Sequence, residues 1–165
     1  MEYNKLPGTD IEVSKICLGT MTWGRQNSEV EAFEQMDFSL DQGVNFFDTA
    51  ELYPVPATPE RYADTEKIIG NWITSRQSRD KIILASKIAG PGDYTAHIRK
   101  TGYKGNSIEE AVNGSLKRLK TDYLDLYQLQ NLEGNMLAVL HFLFYKFQHV
   151  PLQITYLKEN KDSEL

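Results

Sequence analysis

The chain has 165 residues, 41% hydrophobic and 25% charged, the composition of an ordinary globular protein with enough length for one real core. Eighteen basic against 23 acidic residues leave a formal charge of −5, which disfavours a nucleic-acid backbone as partner. A single cysteine, Cys17, excludes an internal disulfide framework and fits a reducing compartment. Residues 1–5 carry no apolar signal core, so the expected location is the cytoplasm, and the longest apolar stretch, 136–147, is too short to span a bilayer.

Pro7-Gly8-Thr9-Asp10 is a turn signature between Tyr3–Leu6 and Ile11–Val13, so the chain opens on an expected β-hairpin. Lys15–Gly19 reads as a first core strand, with Cys17 as a core residue rather than a reactive thiol. Ser28 and Glu31 have the spacing of a capping box, and Gly43 stops the helix that follows. Val44–Asp48 is the second strand. A helix over 64–76 buries Ile68, Ile69, Trp72 and Ile73, and Lys81–Lys87 is a third strand, apolar enough for burial on both faces. After a Gly-, Pro- and Tyr-containing connection over 89–106, Ser107 and Glu110 have the spacing of a second capping box. They open a helix with Ala111, Val112, Ser115, Leu116 and Leu119 inward, and Tyr123–Leu129 is the fourth strand. Alternating strands and helices predict a parallel α/β sheet. From Asn131 the pattern changes: the expectation for 131–165 is one helix, about Met136 to Gln148, and a frayed terminus.

Three chemically useful side chains fall at strand ends. Asp48 closes the second strand, Tyr53 follows it by five residues, and Lys87 closes the third. Met singly, each has a bland explanation: a loop acceptor, a packed ring, a surface ion pair. Together they lie on the edge where parallel α/β folds build sites. An acid that holds a lysine, and a lysine beside a phenol, make a proton donor suited to a carbonyl oxygen. Gly19-Thr20-Met21-Thr22-Trp23-Gly24 lies on the same edge. His97, His141 and His149 share no metal-ligand spacing with one another or with Cys17, so no metal is expected.

These motifs resemble the aldo-keto reductase superfamily, in particular its bacterial branch related to the potassium-channel β-subunits. The resemblance rests on Gly19-Thr20-Met21, on the stretch Asp48 to Pro54, on Ala85-Ser86-Lys87 and on the stretch Ser115 to Tyr127. It implies an α/β fold, a TIM (β/α)8 barrel with an N-terminal hairpin closing its bottom, and NADPH at the strand C-termini. By resemblance Tyr53 is the general acid, Lys87 the cation beside it, and Asp48 the partner of Lys87 and a neighbour of the nicotinamide ribose. Thr20 and Met21 line the cofactor. The family's histidine after the fourth strand is replaced by Gln130, which still offers an amide N–H but no titratable proton.

A full barrel takes eight strands and about 250 residues, so residues 1–130 correspond to half of one, and 131–165 read as a divergent tail. The expected activity is NADPH-dependent reduction of an aldehyde or ketone, in a truncated form of weak or no activity. The alternative is a non-catalytic interaction protein that uses the half-barrel as scaffold. Open sheet edges make self-association a further expectation.

Overall fold

The computed structural model describes residues 1–130; the expected helix and tail over 131–165 lie outside the described residues. Strands β1 (Tyr3–Lys5) and β2 (Glu12–Ser14) form the antiparallel hairpin, closed where Leu6 donates its backbone N–H to Ile11 O at 2.9 Å. Strand β3 (Cys17–Gly19), helix α1 (Glu29–Asp41), strand β4 (Phe46–Asp48), helix α2 (Asp64–Arg76), strand β5 (Ile83–Ile88), helix α3 (Ser107–Leu119) and strand β6 (Leu126–Leu129) follow. The four strands β3 to β6 form one sheet in sequential order, every pair parallel. Consecutive parallel strands with a helix in each crossover are the arrangement of a (β/α)8 barrel, here four strands of it. Within the described sheet, β3 and β6 are the edges.

The hairpin sits at the N-terminal end of the sheet. Tyr3 donates its hydroxyl to Gly43 O at 2.7 Å, and Asn45, just before β4, accepts from Ser14 N at 2.7 Å. The opposite, C-terminal end of the sheet carries Asp48 and Lys87.

Side-chain alternation along the strands separates two faces. Phe47, Leu84, Ile88 and Tyr127 face the helices and join Ala32, Met36, Ile69, Trp72, Ala111 and Leu119 in the core. Trp72 is fully buried and lies 5.7 Å from Phe47, ring centre to ring centre. On the other face lie Cys17, Asp48 and Lys87, less covered than their neighbours. The strand expected to be buried on both faces is fully covered on the helix side; on the interior side Ala85 is buried while Ile83 and Lys87 are only partly covered, because that face looks into the barrel interior.

The first capping box is present in full: Ser28 Oγ accepts from Glu31 N, and a Glu31 carboxylate oxygen accepts from Ser28 N at 2.7 Å. The second is not formed. Asn106 occupies the cap position without a side-chain bond, and Ser107 lies one residue inside the helix. Its hydroxyl turns back to Lys104 O at 2.7 Å and Thr101 Oγ at 2.6 Å, so the preceding turn has captured the group that the motif assigns to the helix end. The inward stripe of α3 is as expected, with Ala111, Val112, Ser115, Leu116 and Leu119 all buried.

Helices α2 and α3 approach through Gly70. A Cβ at that position would lie 2.2 Å from the carbonyl oxygen of Arg118 and 3.0 Å from Leu119 Cα. Only a residue with no side chain permits this spacing, which has consequences for Arg118 described below.

Candidate active site

The loop from Asp48 to Tyr53 is pinned by backbone hydrogen bonds on both sides. Thr49 N donates to Ala85 O at 2.9 Å and Glu51 N to Lys87 O at 3.0 Å, while Val55 N reaches Met21 O at 3.1 Å. These bonds extend the β4–β5 pairing past the end of β4 and anchor the same loop to the segment after β3. The sequence order acid, phenol, lysine is converted in this way into spatial proximity.

The Lys87 ammonium is the centre of the arrangement. It lies 2.5 Å from Asp48 Oδ2, 2.8 Å from Thr49 O and 3.5 Å from Tyr53 Oη. An ammonium has three N–H donors, and these three oxygens match them. The Lys87 side chain is 12% exposed and that of Asp48 26%, so the ion pair is screened less than a surface pair. Tyr53 is almost fully buried, packed with Ala50, Leu52 and Ala89 and flanked by Val55, Ala57 and Ile98, so its ring has little freedom to turn away.

Thr20 is fully buried and spends its hydroxyl on Asp48 O at 2.9 Å, which fixes the end of β4. Met21, the next residue, is 47% exposed at the same edge. Gly19 is paired with Asp48 across the sheet, and nothing lies within 4 Å of where its Cβ would stand, so the space beside Asp48 is open.

Gln130 follows directly on β6, its N–H donated to Ile88 O at 3.2 Å. Its backbone carbonyl accepts from Tyr103, a residue of the 89–106 connection. Burial, then the nearby Tyr94, push the Tyr103 phenol up to about 12, so it stays a donor to that carbonyl. The Gln130 Oε1 is buried with no hydrogen-bond partner among the described residues, and the side chain is not bonded to Tyr53 or Lys87. Asp48, Tyr53 and Lys87 are thus brought together directly, with Gln130 placed at the end of the neighbouring strand.

Cys17 differs from expectation: it is exposed on the interior face of β3 rather than in the core, because residue 18, not 17, turns toward the helices. Crowding by neighbouring protein atoms, then the Asp48 carboxylate, still push its thiol up to about 11, with Lys87 pulling the other way. His97 packs edge-on against Tyr62 at 5.9 Å. Among the described residues no group of three or more His, Cys, Asp or Glu side chains is placed to hold a metal ion, and no helix is long and apolar enough to cross a membrane. An open depression of about 910 Å³ lined by Ile73, Arg79, Leu116 and Tyr123 includes none of the predicted site residues.

Behind the site runs a set of charges that the motifs did not disclose. Glu51, inside the Asp48–Tyr53 loop, and Glu66, on α2, are essentially dry, 3% and 0% exposed, and are matched by Arg99 and Arg118. Glu51 was visible in the motif and Arg99 in the connection, but no local pattern pairs residues 48 positions apart.

Asp48, Tyr53 and Lys87 thus meet at the C-terminal end of a parallel α/β sheet, with open space beside the acid. A family model described as "Aldo/keto reductase family" matches residues 15–161, and the chain belongs to that family. It is 48% identical over 131 residues to Protein tas of Escherichia coli (strain K12), covering 78% of this chain and 38% of that protein. It is 41% identical over 138 residues to the uncharacterized oxidoreductase YrpG of Bacillus subtilis, covering 81% of this chain and 41% of the other. Among solved structures it is similar to the holo form of aldo-keto reductase AKR11C1 from Bacillus halodurans, with a TM-score of 0.58, 35% identity, and 78% and 40% of the two chains covered. The chain spans about two fifths of the length of these relatives.

Proposed function

We propose that this chain carries the proton-donating part of an NADPH-dependent carbonyl reductase, and that the whole protein reduces aldehydes or ketones to alcohols. The observation that supports it is the Lys87 ammonium held at 3.5 Å from the Tyr53 hydroxyl and 2.5 Å from Asp48. Tyr53 gives its proton to the carbonyl oxygen, and the Lys87 cation stabilises the phenolate that remains. At 3.5 Å that attraction is worth between about 1 kcal/mol in bulk water and about 5 kcal/mol at an effective dielectric of about 20. Asp48 keeps the ammonium in place, and the buried Tyr53 ring keeps the hydroxyl aimed.

The residues present fit the nicotinamide end of the cofactor. The open volume over Gly19 lies alongside Asp48, and the exposed Met21 borders the same edge. NADPH, when bound, supplies the hydride that goes to the carbonyl carbon, and the products are the alcohol and NADP⁺. Thr20 acts on this site through the Asp48 carbonyl that it holds. The resemblance places the groups for pyrophosphate and adenosine in later strands, beyond the described residues. Gln130 then offers an amide N–H where the family has a titratable donor. A reducing, cytoplasmic setting suits a chain whose one cysteine stays a thiol.

The test is NADPH oxidation at 340 nm with an aromatic aldehyde, together with direct NADPH binding, for the parent and Tyr53→Phe. Aldehyde-dependent oxidation lost by at least 10²-fold in Tyr53→Phe, with NADPH binding retained, is the expected result. Absence of NADPH binding up to millimolar concentration refutes the enzyme reading and leaves the scaffold alternative.

A further inference from the structure

We infer that Glu51, Arg99 and Arg118 form a positioning clamp that sets the distance between Tyr53 and Lys87; the inference rests on the proton-donor roles proposed above. Glu51 lies midway between Asp48 and Tyr53, and its carboxylate is buried against three N–H groups. Arg99 donates to both oxygens, at 2.8 and 2.9 Å, and Ala89 N donates to Oε2 at 3.0 Å. Arg118 stands 3.9 Å from Oε1.

Arg118 links this carboxylate to a second. Its Nε donates to Glu66 Oε2 at 2.6 Å, and the other Glu66 oxygen accepts from Ser86 Oγ at 2.6 Å. The strand is therefore held on both sides of Lys87: at Ser86 by Glu66, at the Lys87 carbonyl by Glu51 N, and at Ala89 N by the Glu51 carboxylate. Two carboxylates and two guanidiniums balance in charge, and the Glu51 hydrogen bonds, acting against burial, raise Arg99 above its ordinary value. The neighbouring Tyr127 phenol is pushed well above its ordinary range by burial first and by Glu51 and Glu66 next.

Such a network is an inefficient way to add stability, because apolar residues of similar volume do as well or better. What it supplies is directional fixation. The bidentate guanidinium allows one orientation of Glu51, and Glu51 is two residues from Tyr53 in a loop whose Tyr53 N is bonded to Ala50 O. Arg99 also follows Ile98, which packs with the Tyr53 cluster. Loss of Arg99 thus releases the loop and the ring contact together. The Tyr53–Lys87 separation of 3.5 Å is already at the outer limit of a hydrogen bond, so a slip of a few tenths of an ångström ends it.

The experiment compares parent, Arg99→Met, Arg99→Lys and Lys87→Met in the full chain. The readouts are kcat per NADPH-binding site, the KM for NADPH, the pH profile of kcat, and amide hydrogen exchange. Arg99→Met is expected to lower kcat at least tenfold with the NADPH KM within twofold of the parent. The alkaline limb of its kcat profile moves to higher pH, in the direction shown by Lys87→Met, because a phenol without its cation holds its proton longer. Arg99→Lys, which keeps charge but not the fork, recovers part of the loss and stands in should Arg99→Met not fold. A kcat and pH profile in Arg99→Met equal to the parent, with Lys87→Met shifted, overturn the clamp and leave the proposed function standing. If the parent itself does not oxidise NADPH, the proposed function fails and exchange decides the clamp. At least tenfold faster exchange at the Glu51 and Ala89 amides in Arg99→Met supports it, and unchanged exchange overturns it.

Discussion

Gly70→Ala is the substitution for which this architecture makes its sharpest demand. In an isolated helix the change is favourable, since alanine exceeds glycine by about 1 kcal/mol in helix propensity. In this protein the added methyl would stand 2.2 Å from Arg118 O, 2.9 Å from Leu119 C and 3.0 Å from Leu119 Cα. That is more than 1 Å short of ordinary contact, and the atoms met are backbone at the end of α3, which cannot rotate aside. Helices α2 and α3 must separate, at an overpacking cost of about 1–3 kcal/mol. The same shift pulls Arg118 from Glu66, now 2.6 Å apart and fully buried on the Glu66 side, for which about another 1–2 kcal/mol is reasonable against the 3–5 of a complete break. After the propensity gain, the net destabilisation is about 1–4 kcal/mol. Urea unfolding followed by tryptophan fluorescence reads this as a midpoint about 0.5–2 M lower than the parent. The control is Gly114→Ala, where the new Cβ meets the Arg118 guanidinium, nearest at Nη1 2.9 Å away, rather than backbone, and stability stays within about 1 kcal/mol of the parent. A Gly70→Ala midpoint at or above the parent refutes the close approach of the two helices and, with it, the placement of Arg118 beside Glu66.

Three further outcomes follow from other parts of the molecule. Gln130→His supplies a titratable donor at the end of β6 and is expected to raise kcat by about 10²-fold, on the order of 3 kcal/mol; steady-state kinetics with an unchanged or lower kcat counts against a catalytic location for residue 130. The Cys17 thiol, pushed up to about 11 by the crowding of protein atoms around it and then by Asp48, is about one part in a thousand thiolate at pH 8. Iodoacetamide labelling of this exposed residue therefore runs about 10²-fold slower than that of a free thiol and rises about tenfold per pH unit toward pH 10, and Asp48→Asn speeds it; rapid labelling at pH 8 would contradict the assignment. Ser28→Ala removes the acceptor for Glu31 N and is expected to lower stability by about 1 kcal/mol in the same urea assay.

Ser28 and Ser107 show how far local sequence carries. Both precede a glutamate by three residues, yet one box forms and the other does not, since Ser107 finds Thr101 and Lys104 in its own preceding turn. Cys17 makes the same point for strands: its apolar neighbours suggested the core, while the register of β3 against β4 puts it opposite Phe46 on the interior face.

The sequence by itself determined the order of strands and helices, the buried stripes of α2 and α3, and the family, because periodicity and motif are properties of nearest neighbours along the chain. It also presented as candidates Asp48 and Lys87, near strand ends, and Tyr53, in the loop five residues after Asp48. What tertiary structure alone decided is the geometry that makes them one site: the ammonium shared among Asp48, Thr49 and Tyr53, and the Glu51–Arg99 and Glu66–Arg118 pairs behind it. Those pairs join residues 48 and 52 positions apart, and dry carboxylates are tolerable only when matching guanidiniums arrive from elsewhere in the chain. No local pattern records that arrival; the packing of α2 on α3 through Gly70 and the pinning of the Asp48–Tyr53 loop to β5 produce it.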